Sequence, residues 1–221
     1  MPYQKRIICL ANSKKPSGRC VAGIEITPAG LRDWIRPISA RPSEELSERE
    51  RAYENGKDVA LLDIVDIHLN GPRPHACQRE NHVIDDTVYW ELAGRASPSD
   101  LMPALQLRGP LWLNGGSSYS GENDRILVAA ADVLTSSLTL IRVTRPQISV
   151  SPGLKGRQVR LRFAFDGASY NLRITDPSLE QRFLAKKDGD YPYDGDMLVC
   201  VSIGEPWEGY RYKLAAGLIA L

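Results

Sequence analysis

The segment Gly156–Pro177, GRQVRLRFAFDGASYNLRITDP, decides how the C-terminal third of this chain folds. Apolar and polar residues alternate on both sides of Asp166-Gly167, as they do in strands. This dipeptide favours a two-residue hairpin loop, because both of its residues tolerate positive φ. Such a loop places Phe163 opposite Tyr170 and Arg160 opposite Arg173. Like charges directly opposite each other destabilise a sheet, so the polar face of the hairpin requires an explanation.

The elements around the hairpin predict a five-stranded barrel. A strand is predicted over residues 137–148 (SLTLIRVTRPQI), and a short helix is predicted to begin at Asp176-Pro177 and to stop at Gly189. Two further strands follow, at residues 196–203 (DMLVCVSI) and 209–221 (GYRYKLAAGLIAL). The resulting order, β-β-β-α-β-β, is that of a five-stranded OB barrel.

The N-terminal part predicts the same order. Strands are expected at residues 4–11, 19–27, 32–39 and 60–69, a helix at 42–56 capped by Ser43 and stopped by Gly56, and a fifth strand or hairpin at 82–93. Between the halves, a helix is predicted from Leu101 to Leu107 and a strand over RILVAAADVL (125–134). The fold class is therefore mainly β, with two OB-like barrels: residues 1–96, a connecting region 97–135, and residues 136–221.

Composition indicates an ordinary globular protein. The chain has 221 residues and a formal net charge of +1, and no run of apolar residues is long enough to span a membrane. The N-terminus lacks the pattern of a signal peptide, so a cytoplasmic location is expected, without a membrane partner. The four cysteines form no CxxC pair, so neither a disulfide nor a zinc site is expected. No cofactor is implied.

Five stretches of the chain carry a family resemblance: RIICLANSKKPSGRCVAG, WIRPIS, QREN, LNGGSSYSGENDRI and VCVSIGEPWEGYRYKLAAGLI. They resemble the bacterial dual-OB-domain proteins, cytoplasmic proteins built from two OB-like barrels and often linked with genome-conflict or defence loci. The resemblance implies a two-barrel fold and a role in binding nucleic acid. It implies no reaction and no catalytic residues.

Basic side chains supply candidate contacts to phosphate. Residues 1–24 and 133–165 contain no acidic residue. The predicted hairpin places Arg160, Arg162 and Arg173 on one face, and the last strand extends that face if it packs alongside, through Arg211 and Lys213. A solvated barrel exterior explains alternating arginines equally well.

Two loop regions add further candidates. The loop NSKKPSGR (12–19) offers Lys14, Lys15 and Arg19, and Arg36 of WIRP is a candidate for the same face. This loop lacks the Walker A pattern and is otherwise explained as an exposed turn. Aromatic candidates for stacking on bases are Tyr191 and Tyr193 in DGDYPYDGD, and Tyr119 in the Gly/Ser-rich loop. The first two have the alternative of packing against their own barrel, beside acids that repel phosphate.

Metal binding and catalysis find no support in the sequence. His75-x-Cys77 and His82 do not have the spacing of a structural zinc site. Glu122 and Asp124 in GENDR are candidates for a cation, but local hydrogen bonds in a turn explain them as well. The G-x-S-x-G and H-E-x-x-H motifs are absent.

The sequence therefore predicts a non-catalytic protein that binds nucleic acid, DNA or RNA, with a preference for single strands. One alternative is a protein–protein adaptor, because a barrel does not dictate its ligand. Another is a nucleotide-binding sensor or enzyme, in which backbone N–H groups of the loops hold phosphates.

Overall fold

The computed structural model describes residues 1–154 and 156–221; Lys155, in the second acid-free window, lies outside the described residues. The chain divides into two compact units, Met1–Ala104 and Leu105–Leu221. Each unit contains one sheet, and the predicted mainly β fold class is confirmed. The domain boundaries expected at residues 96 and 135 stay a prediction.

The first unit contains a closed ring of five strands. Its elements are β1 (Tyr3–Lys14), β2 (Arg19–Thr27), β3 (Gly30–Ile38), the single-turn helix α1 (Glu48–Arg51), β4 (Asp63–Pro72), β5 (Asn81–Ile84), β6 (Glu91–Arg95) and a 3-10 helix (Pro98–Ala104). The sheet runs β1-β2-β3-β5-β4, and β4 returns to β1. The pairing of β3 with β5 is parallel, and the other pairings are antiparallel. We call this unit the first barrel.

Strand β1 closes the first barrel because it pairs on both sides. Its first half, Tyr3–Ile8, pairs with β4, and Ile7–Lys14 pairs with β2. Alternate residues of the strands point inward and form the core with a period of two. The core includes Ile7, Cys9, Val21, Ile35, Val65 and Ile67.

The second unit repeats this arrangement with a divided first strand. Its elements are β7 (Arg125–Leu127), the single-turn helix α2 (Val128–Ala131), β8 (Leu138–Thr144), β9 (Gln147–Gly153), β10 (Gly156–Phe165), β11 (Ala168–Ile174), α3 (Pro177–Leu184), β12 (Gly189–Pro192), β13 (Asp196–Trp207) and β14 (Tyr210–Ala220). The sheet order is β12-β9-β10-β11-β14-β13-β8, and β11 pairs with β14 in parallel. We call this unit the second barrel.

Strands β8 and β9 together take the place in the second barrel that β1 has in the first, where β1 closes the barrel by pairing on both sides. Strand β8 pairs with β13 and β9 pairs with β10. Arg145, at φ 47°, and Pro146 separate them, because proline has no backbone N–H to donate to a sheet. Both barrels therefore have the strand order and the parallel pair expected from the element order β-β-β-α-β-β.

The hairpin at Asp166-Gly167 forms as predicted. Asp166 and Gly167 have φ angles of 44° and 79°, and they connect β10 to β11. The register places Arg160 opposite Arg173 and Phe163 opposite Tyr170. The rings of Phe163 and Tyr170 stack with centroids 5.3 Å apart.

Some predicted elements are shorter or different. The helix expected over 42–56 is the single turn Glu48–Arg51, capped by Ser47 and not by Ser43, because Leu46 instead pairs with Arg19 of β2. The segment 82–93 forms two separate strands, β5 and β6. In the strand expected over 125–134 only Arg125–Leu127 is extended, since the alanines that follow favour a helical turn. The helix expected at 101–107 is the 3-10 helix Pro98–Ala104.

Candidate nucleic-acid interface

Arg160 lies on the same face of the hairpin as Arg162 and Arg173, as predicted, but it is buried there, so its predicted accessibility to phosphate is wrong. Only 6% of the residue is exposed, and its Nη2 lies 2.6 Å from Oδ2 of Asp124. Burial lowers the pKa of the Arg160 guanidinium, and the Asp124 carboxylate opposes that shift. The opposed arginines are therefore explained by a carboxylate that the chain supplies from a distant position. This counter-charge offsets the repulsion expected between Arg160 and Arg173.

Asp124 ends a segment that lies over the polar face of β10 and β11, and we call Leu113–Asp124 the strap. Asn123 Nδ2 donates to Ser169 O at 2.9 Å, and Asn171 Nδ2 donates to Ser120 O at 2.9 Å. The backbones of Glu122 and Asn171 also form an isolated antiparallel bridge. The strap thus removes part of the hairpin face from solvent.

The basic residues of β14 are buried as well, so their predicted exposure is wrong. Arg211 and Lys213 are each 1% exposed. Arg211 Nε donates to Asp132 Oδ1 at 2.6 Å, and Lys213 Nζ donates to Leu113 O at 2.7 Å. Burial lowers the pKa of Lys213 to about 8. The register places Leu214, and not Lys213, beside Arg173, so Arg211 and Lys213 lie on the core side of β14 together with Ala215. The last strand therefore does not extend the basic face of the hairpin, and that prediction is wrong as well.

Arg162 and Arg173 stay accessible on the hairpin, with about half of each side chain exposed. Arg162 Nη1 lies 3.6 Å from an oxygen of Asp190, and Arg173 Nη2 lies 3.8 Å from one of Glu180. These distances exceed those of a charge-assisted hydrogen bond, so both pairs are loose.

The three predicted stacking residues have different environments. Tyr119, in the strap, is fully exposed. Tyr191 and Tyr193 are partly buried against the core of the second barrel. The Tyr191 ring meets Phe183 edge-on at 5.7 Å, and its hydroxyl donates to Lys187 O. Packing against their own barrel therefore accounts for Tyr191 and Tyr193, whereas Tyr119 presents its ring to solvent.

In the first barrel, the loop between β1 and β2 is basic and is held in place. Ser17 donates from its backbone N and from Oγ to Oε2 of Glu45, at 2.8 and 2.6 Å. Gly18 packs so closely on Leu46 O that a side chain at residue 18 would overlap this oxygen. Lys14 is exposed at the start of the loop, and Lys15 and Arg19 are half-buried.

Arg36, predicted to lie on the same face, is buried, so its predicted exposure is wrong. Its Nη2 lies 3.0 Å from Oε1 of Glu80, and its backbone N donates to Glu80 O at 2.8 Å. The cause is the parallel pairing of β3 with β5, which brings Arg36 beside Asn81. The buried pair anchors the end of the loop between β4 and β5, and this loop carries further basic residues.

Arg73, His75 and Arg79 in that loop are exposed and were not among the predicted contacts. Arg73 Nη1 lies 3.8 Å from Oε1 of Glu44, next to the Glu45 that holds the β1–β2 loop. The two loops thus meet through residues 44–46. We call Lys14–Arg19, Glu44–Leu46 and Arg73–Glu80 together the first-barrel rim. The stretch PRPHACQR (residues 72–79) contains two arginines, and this composition is the sequence signal that indicates a basic loop.

The first-barrel rim has an excess of positive charge. It contains five basic residues (Lys14, Lys15, Arg19, Arg73, Arg79) and three acidic ones (Glu44, Glu45, Glu80), a balance of +2. Among residues 1–154 and 156–221, neither Arg19 nor Arg79 forms an ion pair. These guanidinium groups keep their charge available for an external anion.

The described residues form neither a metal site nor a membrane-spanning helix. In the described part of the chain, no three His, Cys, Asp or Glu side chains are grouped so that they could hold a metal ion. His75 is exposed whereas Cys77 is fully buried, and the two do not form a ligand pair. No helix in the described ranges has the length and apolar character that crossing a bilayer requires.

Comparison with known proteins decides the family. The dual OB-containing domain matches residues 5–218, almost the whole chain. The chain belongs to the dual OB-containing domain family. This confirms both the resemblance and the two-barrel fold class. No curated protein matches the chain. Among solved structures, the chain is similar to one described as "Crystal structure of the tetrameric p202 HIN2", at 7% identity and a TM-score of 0.34, covering 99% of this chain and 92% of that one.

Membership in this family bears on function at a general level. OB-fold domains commonly bind nucleic acids, and they use the face of strands 2 and 3 with the loops between strands 1 and 2 and between strands 4 and 5. In the first barrel these two loops are the ones that carry the basic residues of the first-barrel rim.

Proposed function

We propose that this protein binds nucleic acid without catalysing a reaction, and that the first-barrel rim makes the main contacts. The observation that carries the proposal is the position of Arg19 and Arg79, neither of which has an ion-pair partner in the described chain. Arg19 begins β2 at the end of the β1–β2 loop and Arg79 lies in the β4–β5 loop, and OB domains use these two loops. Lys14, Lys15 and Arg73 add charge beside them. Arginine suits phosphate because its planar guanidinium donates two parallel hydrogen bonds.

The rim is preorganised for this task. Glu45 fixes the β1–β2 loop through Ser17, and the buried Arg36–Glu80 pair fixes the β4–β5 loop. A binding surface that is already ordered loses less conformational entropy when a ligand binds. Buried Arg36 therefore acts by positioning the loop and not by contacting phosphate.

Single strands are the ligand that this surface fits best. The exposed His75 lies in the same loop as Arg73 and Arg79, so that a ring capable of stacking on an unpaired base stands among cations. Stacking on aromatic groups tolerates any base and needs bases that are free of a duplex. We therefore expect DNA or RNA single strands to bind more tightly than duplexes of the same length.

The other predicted residues have different parts in this proposal. Arg162, Arg173 and Tyr119 are accessible on the second barrel and are candidates for additional contacts. Tyr191 and Tyr193 are assigned to packing. A role in genome conflict or defence, which the family resemblance implies, stays a prediction, and so does a cytoplasmic location.

Fluorescence anisotropy with a labelled 20-nucleotide strand tests the proposal. Reversing two rim charges with Arg19→Glu/Arg79→Glu is expected to weaken binding by at least tenfold, since two phosphate contacts are replaced by repulsion. The matched control is Arg49→Glu/Lys57→Glu, which changes the net charge equally at exposed positions of the same barrel, outside the rim and outside strands β2 and β3. Undetectable binding by the unmodified protein at low salt contradicts the proposal. Equal losses in the two variants contradict the assignment of the rim.

A further inference from the structure

The second barrel offers a different face to ligands. Strands β10 and β11 occupy the second and third places of the OB order, and their polar side carries Arg160, Arg162, Asn171 and Arg173. OB domains bind oligonucleotides across this face. Here the strap lies on it, and the carboxylate of Asp124 occupies the position beside the Arg160 guanidinium. An acidic side chain of the chain itself thus stands where a ligand phosphate would meet Arg160.

The Asp124 carboxylate is held as a bound anion would be. It accepts hydrogen bonds from Ser118 N at 2.7 Å and from Ser118 Oγ at 2.6 Å, besides its contact with Arg160. Its side chain is only 2% exposed. Backbone N–H, hydroxyl and guanidinium donors are the groups that proteins use to bind phosphate oxygens.

Polar contacts are the main attachment of the strap between its two ends. The residues before and after it are anchored in apolar surroundings, with Leu111 fully buried and Ile126 5% exposed. Within the strap, the large apolar side chains Leu113 and Tyr119 are both exposed. The net contribution of each such hydrogen bond is small, because water replaces the partner when the segment opens. A segment attached in this way opens locally at a lower free energy than global unfolding of the barrel.

We propose that the strap is a displaceable internal occupant of the second barrel's ligand face. A nucleic-acid strand competes with it, and a phosphate takes the place of the Asp124 carboxylate beside Arg160. Arg162 and Arg173 then supply further contacts, because both are half-exposed and only loosely paired. The proposal rests on the proposed function for the identity of the ligand, but it concerns a separate surface.

One substitution releases the strap without changing any charge. A Cβ at residue 121 would overlap the Asp124 carboxylate and the Arg160 guanidinium, so Gly121→Ala forces these groups apart. The backbone of Gly121 is not in the left-handed region, and alanine therefore adds no φ strain. Gly71→Ala is the control, because a Cβ at residue 71 meets no atom within 4 Å. Ser118→Ala is a second releasing variant, since it removes the hydroxyl donor to Asp124.

The converse variant locks the strap. Glu122 and Asn171 form a hydrogen-bonded antiparallel pair through N–H to O distances of 3.4 and 3.0 Å. Such pairs have Cα atoms about 5.5 Å apart, within the range that a disulfide spans. Under oxidising conditions, Glu122→Cys/Asn171→Cys therefore forms a disulfide that holds the strap on β11. A reductant breaks this disulfide and releases the strap.

The experiment uses the full chain with Arg19→Glu/Arg79→Glu as background, so that the first-barrel rim is silenced. Anisotropy with the 20-nucleotide strand is expected to show at least tenfold tighter binding for Gly121→Ala than for the background or for Gly71→Ala. Hydrogen exchange of the strap amides is expected to accelerate in parallel. The double-cysteine variant that also carries Gly121→Ala is expected to lose this gain when oxidised and to recover it when reduced.

Two results overturn the proposal: faster exchange of the strap without tighter binding, or equal affinity of the oxidised and reduced double-cysteine protein. Should Gly121→Ala fail to fold, as judged by near-ultraviolet circular dichroism, Ser118→Ala decides by the same criteria. The two proposals fail separately. If no protein in the series binds nucleic acid, including the one with the intact rim, the proposed function is wrong. If the rim variants lose binding and the strap variants change nothing, only the displaceable strap is refuted.

Discussion

Replacing Asp124 by asparagine tests how the second barrel accommodates its opposed arginines. The substitution keeps the shape of the side chain and removes the charge that faces Arg160. The side chains of Arg160 and Asp124 are 7% and 2% exposed, so the guanidinium is left in a buried site without its counter-charge. Removing one partner of a buried ion pair typically costs about 3–5 kcal/mol. An asparagine oxygen at the Oδ2 position accepts from Ser118 Oγ and from Arg160, but the NH2 group then faces the Ser118 N–H, so we expect a loss of at least about 3 kcal/mol.

Urea unfolding followed by near-ultraviolet circular dichroism measures this loss. Arg160→Met and the double variant Asp124→Asn/Arg160→Met complete a double-mutant cycle. The double variant is expected to be more stable than the sum of the single effects predicts, by about 1–3 kcal/mol, because no buried charge is then left unpaired. Asp124→Asn with a loss below about 1 kcal/mol, together with additive effects in the cycle, would refute the reasoning, since such values are typical of exposed pairs.

Three further predictions concern single positions. Lys213→Met removes a group whose pKa is about 8 in the folded protein and 10.5 in the unfolded chain. Because the unfolded chain binds more protons between these pH values, the wild type should gain up to about 3 kcal/mol of stability over the variant from pH 8 to pH 10.5. Urea titrations at several pH values measure this difference, and a difference that stays constant with pH would contradict the prediction. Gly167→Ala, at φ 79° with no atom near the new Cβ, should cost about 1–2 kcal/mol in thermal unfolding, whereas Gly71→Ala should be nearly neutral. Gly18→Ala should displace the β1–β2 loop from Leu46 O and weaken oligonucleotide binding several-fold in anisotropy, and unchanged affinity would show that the geometry of this loop is unimportant.

Local sequence signals predict the barrels well because their turns and periodicities are local. The Asp166-Gly167 dipeptide specifies the hairpin and its register, and Asp176 with Pro177 specifies the start of α3. The alternation of apolar residues in the strands then determines which side forms the core. The order of the elements was therefore sufficient to predict two OB-like barrels.

The surroundings of the basic residues were not predictable in the same way. Arg160 meets a carboxylate 36 residues away along the chain, and Arg211 meets one 79 residues away. The period of a strand indicates only that Arg160 points away from the core. It does not indicate that the strap will cover that side. Exposure of a polar strand face depends on packing by distant segments, which no local pattern specifies.

Only part of the candidate interface was predicted, because the rest of it also depends on contacts between distant segments. The loop with Lys14, Lys15 and Arg19 was recognised by its composition. The loop with Arg73 and Arg79 gains its importance only when Glu44 and Glu45 bring the two loops together. That contact depends on residues 44–46, where the sequence predicted a helix and the chain instead pairs with β2.

The salt dependence of oligonucleotide affinity tests the central claim, that the first-barrel rim binds a nucleic-acid backbone, most directly. Each phosphate contact with a single strand adds about 0.7 to the slope of log affinity against log salt concentration. Five basic residues of the rim predict a slope of about −3.5 for the unmodified protein, and Arg19→Gln/Arg79→Gln is expected to reduce its magnitude by about 1.4. A slope that this variant leaves unchanged, or an affinity that does not respond to salt, would contradict the claim.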